Sequence, residues 1–187
     1  MYKLCKTEQS AIRQRQLEQK LAELMNIHRY EEITVSDFCT YAGIPRKAFY
    51  RYFSSKDGAL YALLDHTIQE YEFLREPPGH PSGLQDMQSE MEHFFRFWHM
   101  QKPLLDALEL SGISGILMER AIASVMNSTK DVLIRETPKI RDHVVQFTVC
   151  GLMIMMINWH HRDYQESISE MAAIAMRLIS QPLFSKK

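Results

Sequence analysis

From Phe38 through Lys56 the sequence contains no Asp or Glu, and it carries Arg46, Lys47, Arg51 and Lys56 with two phenols, Tyr50 and Tyr52, between them. Cations and hydroxyls gathered on one short segment are the chemistry of phosphate binding. Attraction to the phosphates supplies most non-specific nucleic-acid affinity, and a carboxylate on that surface would oppose it. Arg51 on its own reads equally well as a solvated surface charge. Two phenols beside four cations make an odd inert surface, so Tyr50 and Tyr52 count towards binding.

These residues need elements to hold them. Apolar residues recur with the 3.6 period of amphipathic helices along almost the whole chain, and no segment alternates like a strand, so the fold class is all-α. The first helix is predicted over about residues 7–28, with Ile12, Leu17, Leu21, Leu24, Met25 and His28 on one stripe and Arg13, Arg15, Glu18, Lys20 and Glu23 opposite. Thr34-Val35-Ser36-Asp37 has the form of a capping box and opens a two-turn helix that stops at Gly43. Pro45 starts a third helix reaching about Tyr52. Ser54-Ser55-Lys56-Asp57 repeats the capping pattern and opens a long fourth helix to about Leu74. Two short helices with a glycine in the turn, preceded by a longer one, have the spacing of a DNA-binding helix-turn-helix. Phe38, Ala42, Ile44, Phe49 and Phe53 are assigned to packing, because so small a head needs all of them for its core.

The run Ile33-Thr34-Val35 to Ala42-Gly43-Ile44, followed by Phe49-Tyr50-Arg51-Tyr52-Phe53 and Lys56, resembles the N-terminal head of the TetR family of bacterial transcriptional regulators. The resemblance covers about residues 7–65. It implies a protein of about nine helices, with a three-helix DNA-binding head at 1–54, a long fourth helix, and a helical ligand-binding and dimerisation body at 55–187. In that family the last two helices pair with those of a second subunit. Carried over position by position, Arg46, Lys47 and Tyr50 face base edges, while Thr34, Ser36, Tyr52 and Lys56 clamp the DNA backbone. Arg46 or Lys47 donating to guanine O6 and N7 is worth about 1–3 kcal/mol of discrimination. The sequence departs from the family pattern at Pro45, at Ala48 and at Gly58, which is expected to interrupt the start of the fourth helix.

Beyond 76–83, a Pro- and Gly-rich stretch that is either a linker or a long loop, further helices are predicted over 84–100 (ended near Pro103), 104–110, 116–135, 138–159 and 166–180. The helix containing Val144–Trp159 is apolar nearly all round, so it must be covered on more than one side. The final helix and the body cover one face, which leaves another for a second subunit, and Gly151, Ala172, Ala173 and Ala175 permit close approach. His93, Phe94 and Trp98, with Met118 on the helix after the glycine turn, are the candidate lining of a small apolar ligand site.

The 187 residues, 24% of them charged, exclude a disordered or collagen-like chain. Net charge is −1, but residues 1–56 hold 10 Lys and Arg against 6 Asp and Glu, so a basic head precedes an acidic remainder. Three scattered cysteines suggest neither a disulfide framework nor a zinc site, and no apolar run reaches the roughly 20 residues a bilayer needs. A cytoplasmic protein is expected. No HExxH, GxSxG, phosphate loop or paired catalytic carboxylates occur, so no cofactor, metal or catalytic role is assigned. The reading is a homodimeric regulator, expected to repress by binding a palindromic operator and to respond to a small apolar ligand. The alternative is the same fold acting through a protein partner without an inducer.

Overall fold

The computed structural model describes residues 2, 3, 5, 7–74, 84–127 and 138–180, without the side chains of 84–86, 138, 139, 141 and 180. Among the described residues there are nine α-helices: α1 Glu8–Met25, α2 Val35–Ala42, α3 Arg46–Tyr52, α4 Lys56–Leu74, α5 Leu84–Met100, α6 Lys102–Leu110, α7 Ser114–Asn127, α8 Pro138–His161 and α9 Ile168–Ser180. A 3-10 turn, Tyr30–Glu32, precedes α2, and the one β pairing among these residues is an isolated antiparallel bridge between Tyr2 and Phe53. The fold is all-α, as its periodicity requires. The stretch 76–83 and the end expected for the helix over 116–135 lie outside the described residues.

The chain divides into two compact units. Met1–Gln69 with Pro103–Arg120 forms the first, and Glu70–Lys102 with Ala121–Lys187 the second. The first unit thus contains all of residues 1–54 together with most of α4.

Its core draws Leu17, Leu21, Leu24 and Met25 from α1, with Phe38, Phe49 and Phe53, all buried. Two residues expected on the apolar stripe of α1, Ile12 and His28, are instead exposed, and Glu18, assigned to the charged face, is only 1% exposed. The stripe has rotated to include Gln14 and Glu18 because α4 supplies a polar partner there. His66 Nδ1 lies 2.9 and 3.0 Å from the two carboxylate oxygens of Glu18. Arg15 donates both to that carboxylate, at 3.2 Å, and to the His66 carbonyl, at 3.1 Å. Burying a carboxylate is costly unless it is paired, and here two donors pair it.

The helix boundaries show local chemistry with some corrections. The second hydroxyl of the Ser54-Ser55 pair caps α4: the Gly58 N–H donates to Ser55 Oγ at 3.0 Å. Gly58 therefore sits inside the first turn of α4 and does not interrupt it. Asp57, expected to close a capping box, instead accepts from the Tyr30 hydroxyl at 2.6 Å. Pro103 falls in the first turn of α6, where its missing N–H has no intrahelical role. Helix α9 begins at Ile168, two residues later than the expected 166, with Ser167 as its cap. The Ser167 N–H donates to Glu170 Oε2 at 2.8 Å and the Glu170 N–H to Ser167 Oγ at 3.3 Å, which is a second capping box.

In the second unit, α5 packs along α9 and touches α8. Phe94, Phe95, Phe97 and Trp98 from α5 are buried with Met153, Met156 and Trp159 from α8 and with Met171, Ala172 and Ala175 from α9. Among the described residues, one face of α8 is left exposed. Ile140, Phe147, Gly151 and Ile154 fall within a narrow arc of its surface at 100° per residue, and the three large side chains are 46%, 75% and 47% exposed. A Cβ built on Gly151 has no heavy atom within 4 Å. On α9, Ile174, Leu178 and Ile179 are likewise exposed.

Candidate nucleic-acid interface

The α2–turn–α3 segment is built from its caps inward. At the start of α2 the Asp37 N–H donates to Thr34 Oγ1 at 3.2 Å, while the Thr34 N–H and hydroxyl donate to Asp37 Oδ2 at 2.9 and 2.6 Å. The predicted capping box is therefore fully formed. These bonds from Thr34 hold the Asp37 carboxyl below its ordinary range. Helix α2 ends where Gly43 adopts φ 64°, ψ 37°, a left-handed conformation that side chains with a Cβ resist. The Ile44 N–H closes back on the Cys39 carbonyl at 3.0 Å. Pro45, with φ −71°, then caps α3.

One buried ring sets the orientation of α3. Phe49 is 1% exposed and meets Phe38 at 5.5 Å and Phe53 at 5.3 Å between ring centroids. With Phe49 inward, Arg46, Lys47, Tyr50 and Arg51 are all exposed. Arg46 and Tyr50 are four apart on one face, and the neighbouring phenol raises the Arg46 pKa. The ring edge of Tyr50 rests on Phe49 at 5.2 Å, so the hydroxyl projects from a fixed base. Helix α3 thus presents two donors on one face, with Lys47 and Arg51 one turn apart beside them.

The remaining DNA-contact candidates have mixed surroundings. Thr34 and Ser36 are exposed at the start of α2. Tyr52 is half-buried, its ring 6.3 Å from that of Phe53. Lys56 has work inside the fold: its Nζ donates to the Tyr30 carbonyl at 2.6 Å and lies 4.2 Å from the Tyr30 ring centroid. Any phosphate bound by Lys56 shares the ammonium with that bond. Tyr30 is buried beneath it, and burial, then the hydrogen bond to Asp57, pushes its hydroxyl pKa upward.

Sequence reasoning passed over a polar cluster behind this surface. Asp65 and His66, consecutive on α4, serve different partners: His66 joins Glu18 of α1, while Arg120 of α7 donates Nε and Nη2 to the Asp65 carboxylate at 2.6 and 2.5 Å. Tyr2 lies beside both, with its ring edge-on to His66 at 5.3 Å and its hydroxyl within the influence of the Asp65 charge. Burial first, and then the charge of Asp65, pushes the Tyr2 pKa up to about 12. Cys5 donates from Sγ to Gln14 Oε1 at 2.7 Å. Polar types at 14 and 18, one turn apart on an otherwise apolar stripe, were the available signal.

The candidate ligand residues divide between the units. Met118 is half-buried in the first. His93, Phe94 and Trp98 belong to the second, where Tyr71 stacks on His93 at 5.6 Å and meets Phe94 edge-on at 5.8 Å, and Phe94 lies 6.5 Å from Trp98. His93 Nε2 and Trp98 Nε1 are buried without a hydrogen-bond partner among the described residues. At the end of α8, His160 Nδ1 lies 2.8 Å from the Tyr164 hydroxyl. Among the described residues no group of three or more His, Cys, Asp or Glu is arranged to hold a metal ion, and no helix is long and apolar enough to cross a membrane.

No family model matches the sequence, and no curated protein matches it. Solved structures do. A TetR-family transcriptional regulator from Streptomyces coelicolor aligns over 89% of this chain and 78% of its own, with TM-score 0.59 and 16% identity. The fatty acid degradation regulator FadR from Bacillus halodurans aligns over 91% and 96%, with TM-score 0.63 and 14% identity. The TetR-family repressor AlkX from a Dietzia strain, implicated in n-alkane biodegradation, aligns over 88% and 91%, with TM-score 0.54 and 18% identity. Over about nine-tenths of its length, this chain has the fold of the TetR-family regulators.

Proposed function

We propose that the protein is a DNA-binding transcriptional regulator that represses by occupying a palindromic operator as a homodimer. The observation that carries this reading is the face of α3. Arg46, Lys47 and Tyr50 stand exposed on a helix whose orientation Phe49 fixes, behind a left-handed glycine turn. In this reading Arg46, Lys47 and Tyr50 reach base edges in the major groove, while Thr34, Ser36, Tyr52 and Lys56 hold the phosphates. Residues 1–54 act as the DNA-binding head and 55–187 as the body.

Dimerisation is supported by the apolar arc of α8 and by Ile174, Leu178 and Ile179 on α9. A second copy laid against α8 covers Phe147 and Ile154 and comes close at Gly151. Two-fold symmetry then gives two heads for two half-sites. A small, largely apolar ligand beside His93, Phe94 and Trp98 would bias the two states of the dimer only by binding one more tightly than the other. The unsatisfied Trp98 Nε1 gives such a ligand a donor to meet, and His93 Nε2 a ring nitrogen.

Selection of binding sites from random duplexes by the purified protein, at two salt concentrations, tests the reading. The expected product is an inverted repeat whose half-sites lie about one helical turn, or a multiple of it, apart. Recovery of no enriched sequence, with no salt-dependent retention of duplex, refutes it.

A further inference from the structure

Helix α3 has only seven residues, so its last four carbonyls, those of Phe49 to Tyr52, lack partners inside the helix. It also lacks the usual remedy: the C-cap residue Phe53 is extended, with φ −127° and ψ 144°, and no left-handed residue closes the end. The Phe53 N–H satisfies the Phe49 carbonyl at 3.0 Å. Two of the other three are satisfied from a segment 47 or more positions earlier in the chain. Lys3 Nζ donates to the Tyr50 carbonyl at 2.8 Å, and the Lys3 N–H donates to the Tyr52 carbonyl at 2.9 Å. A cation at a helix C-terminus also meets the favourable end of the helix dipole.

The other contacts of this segment lead away from α3. Tyr2 pairs with Phe53 through the backbone, and its side chain packs edge-on against His66 of α4. His66 is locked to Glu18, and its neighbour Asp65 to Arg120. Cys5 ties the segment to Gln14 of α1. The residues that end α3 are therefore joined, through Tyr2 and Lys3, to the polar cluster of α1, α4 and α7.

We propose that the segment holding Tyr2, Lys3 and Cys5 is a strap that replaces the missing C-terminal cap of α3 and fixes that helix to α4, with Tyr2 and Lys3 as its positioning residues. Its consequence for DNA rests on the reading of α3 as the DNA-facing helix, but the strap itself does not. Lys3, engaged with the helix end, serves as a cap and not as a phosphate contact.

Hydrogen exchange on the full-length chain, without DNA, separates the two. Tyr2→Ala and Lys3→Met are expected to speed amide exchange in the peptide covering 50–54 by about threefold to tenfold, the range one lost hydrogen bond allows. Exchange across Leu17–Leu24 should stay unchanged. Tyr2→Phe, which keeps the ring and the backbone pairing, should fall between these variants and the parent. Unchanged exchange at 50–54 in both Tyr2→Ala and Lys3→Met overturns the strap, whatever the protein binds. A second readout is duplex binding against salt: Lys3→Met should lower affinity without changing the slope. A slope reduced by about 0.9 per head means that Lys3 meets phosphate and overturns the capping role. Faster exchange in a protein that retains no duplex leaves the strap standing and refutes the DNA-binding reading instead.

Discussion

Replacing Phe147 by Asp tests the dimer most directly, because that side chain has almost nothing to lose within its own chain. It is 75% exposed at the centre of the apolar arc of α8. Fully burying a Phe is worth about 1.5–3 kcal/mol, so the exposed three-quarters represents about 1–2 kcal/mol that only an external partner supplies. A two-fold interface contains the residue twice, which doubles the loss to about 2–4 kcal/mol before the carboxylate is desolvated. At about 1.4 kcal/mol per decade, the dimer dissociation constant should rise by about thirtyfold to a thousandfold. Sedimentation velocity across a concentration series reads this directly. Thermal unfolding at a concentration where both proteins are monomeric should move little, since the substitution removes few intrachain contacts. A parent that stays monomeric at every concentration, or a variant that dimerises as tightly as the parent, refutes the assignment of this face.

Three further outcomes follow from the head. Arg46→Ala should weaken a selected site more than bulk DNA, whereas Lys56→Ala should weaken both and reduce the salt slope of duplex binding by about 0.9 per head; electrophoretic shifts at several salt concentrations compare them. Lys56→Ala should cost about 1–2 kcal/mol in denaturant unfolding, because it removes a charged donor from the Tyr30 carbonyl and a cation from the Tyr30 ring; unchanged stability contradicts its internal role. Thr34 holds the Asp37 pKa below the ordinary 3.8, so the stability this contributes is fully present above 3.8 and is lost as pH falls through the lower folded value. Asp37→Asn should therefore flatten the acid limb of a plot of melting temperature against pH, and an unaltered limb rules the box out as its source.

Where the determinants are local, the sequence is legible. The capping box at Thr34 and Asp37 spans four residues, the glycine that ends α2 needs a conformation few other residues accept, and the inward ring of Phe49 follows from its spacing to Phe53. The acid-free run of α3 is exposed because the apolar residues between its cations must face inward. Where two adjacent residues can play the same part, pattern alone does not choose. Ser54 and Ser55 both fit a cap, and the choice of Ser55 releases Asp57 to meet Tyr30, 27 positions earlier.

Glu18 and Lys56 mark a different limit, set by what sequence distance hides. By type, both belong at the surface. Glu18 is buried because His66, 48 positions later, arrives on α4 with a ring nitrogen at hydrogen-bond distance, and Arg15 closes over the pair. Lys56 turns inward because the Tyr30 carbonyl lies at the start of a 3-10 turn, within reach of the first residue of α4. The His66–Glu18 and Lys56–Tyr30 bonds join α4 to the part of the chain that precedes α2. Removing one partner leaves a buried charge or carbonyl unsatisfied, which costs more than the bond itself contributes, so the pairing resists small displacements of α4 and yields abruptly to larger ones.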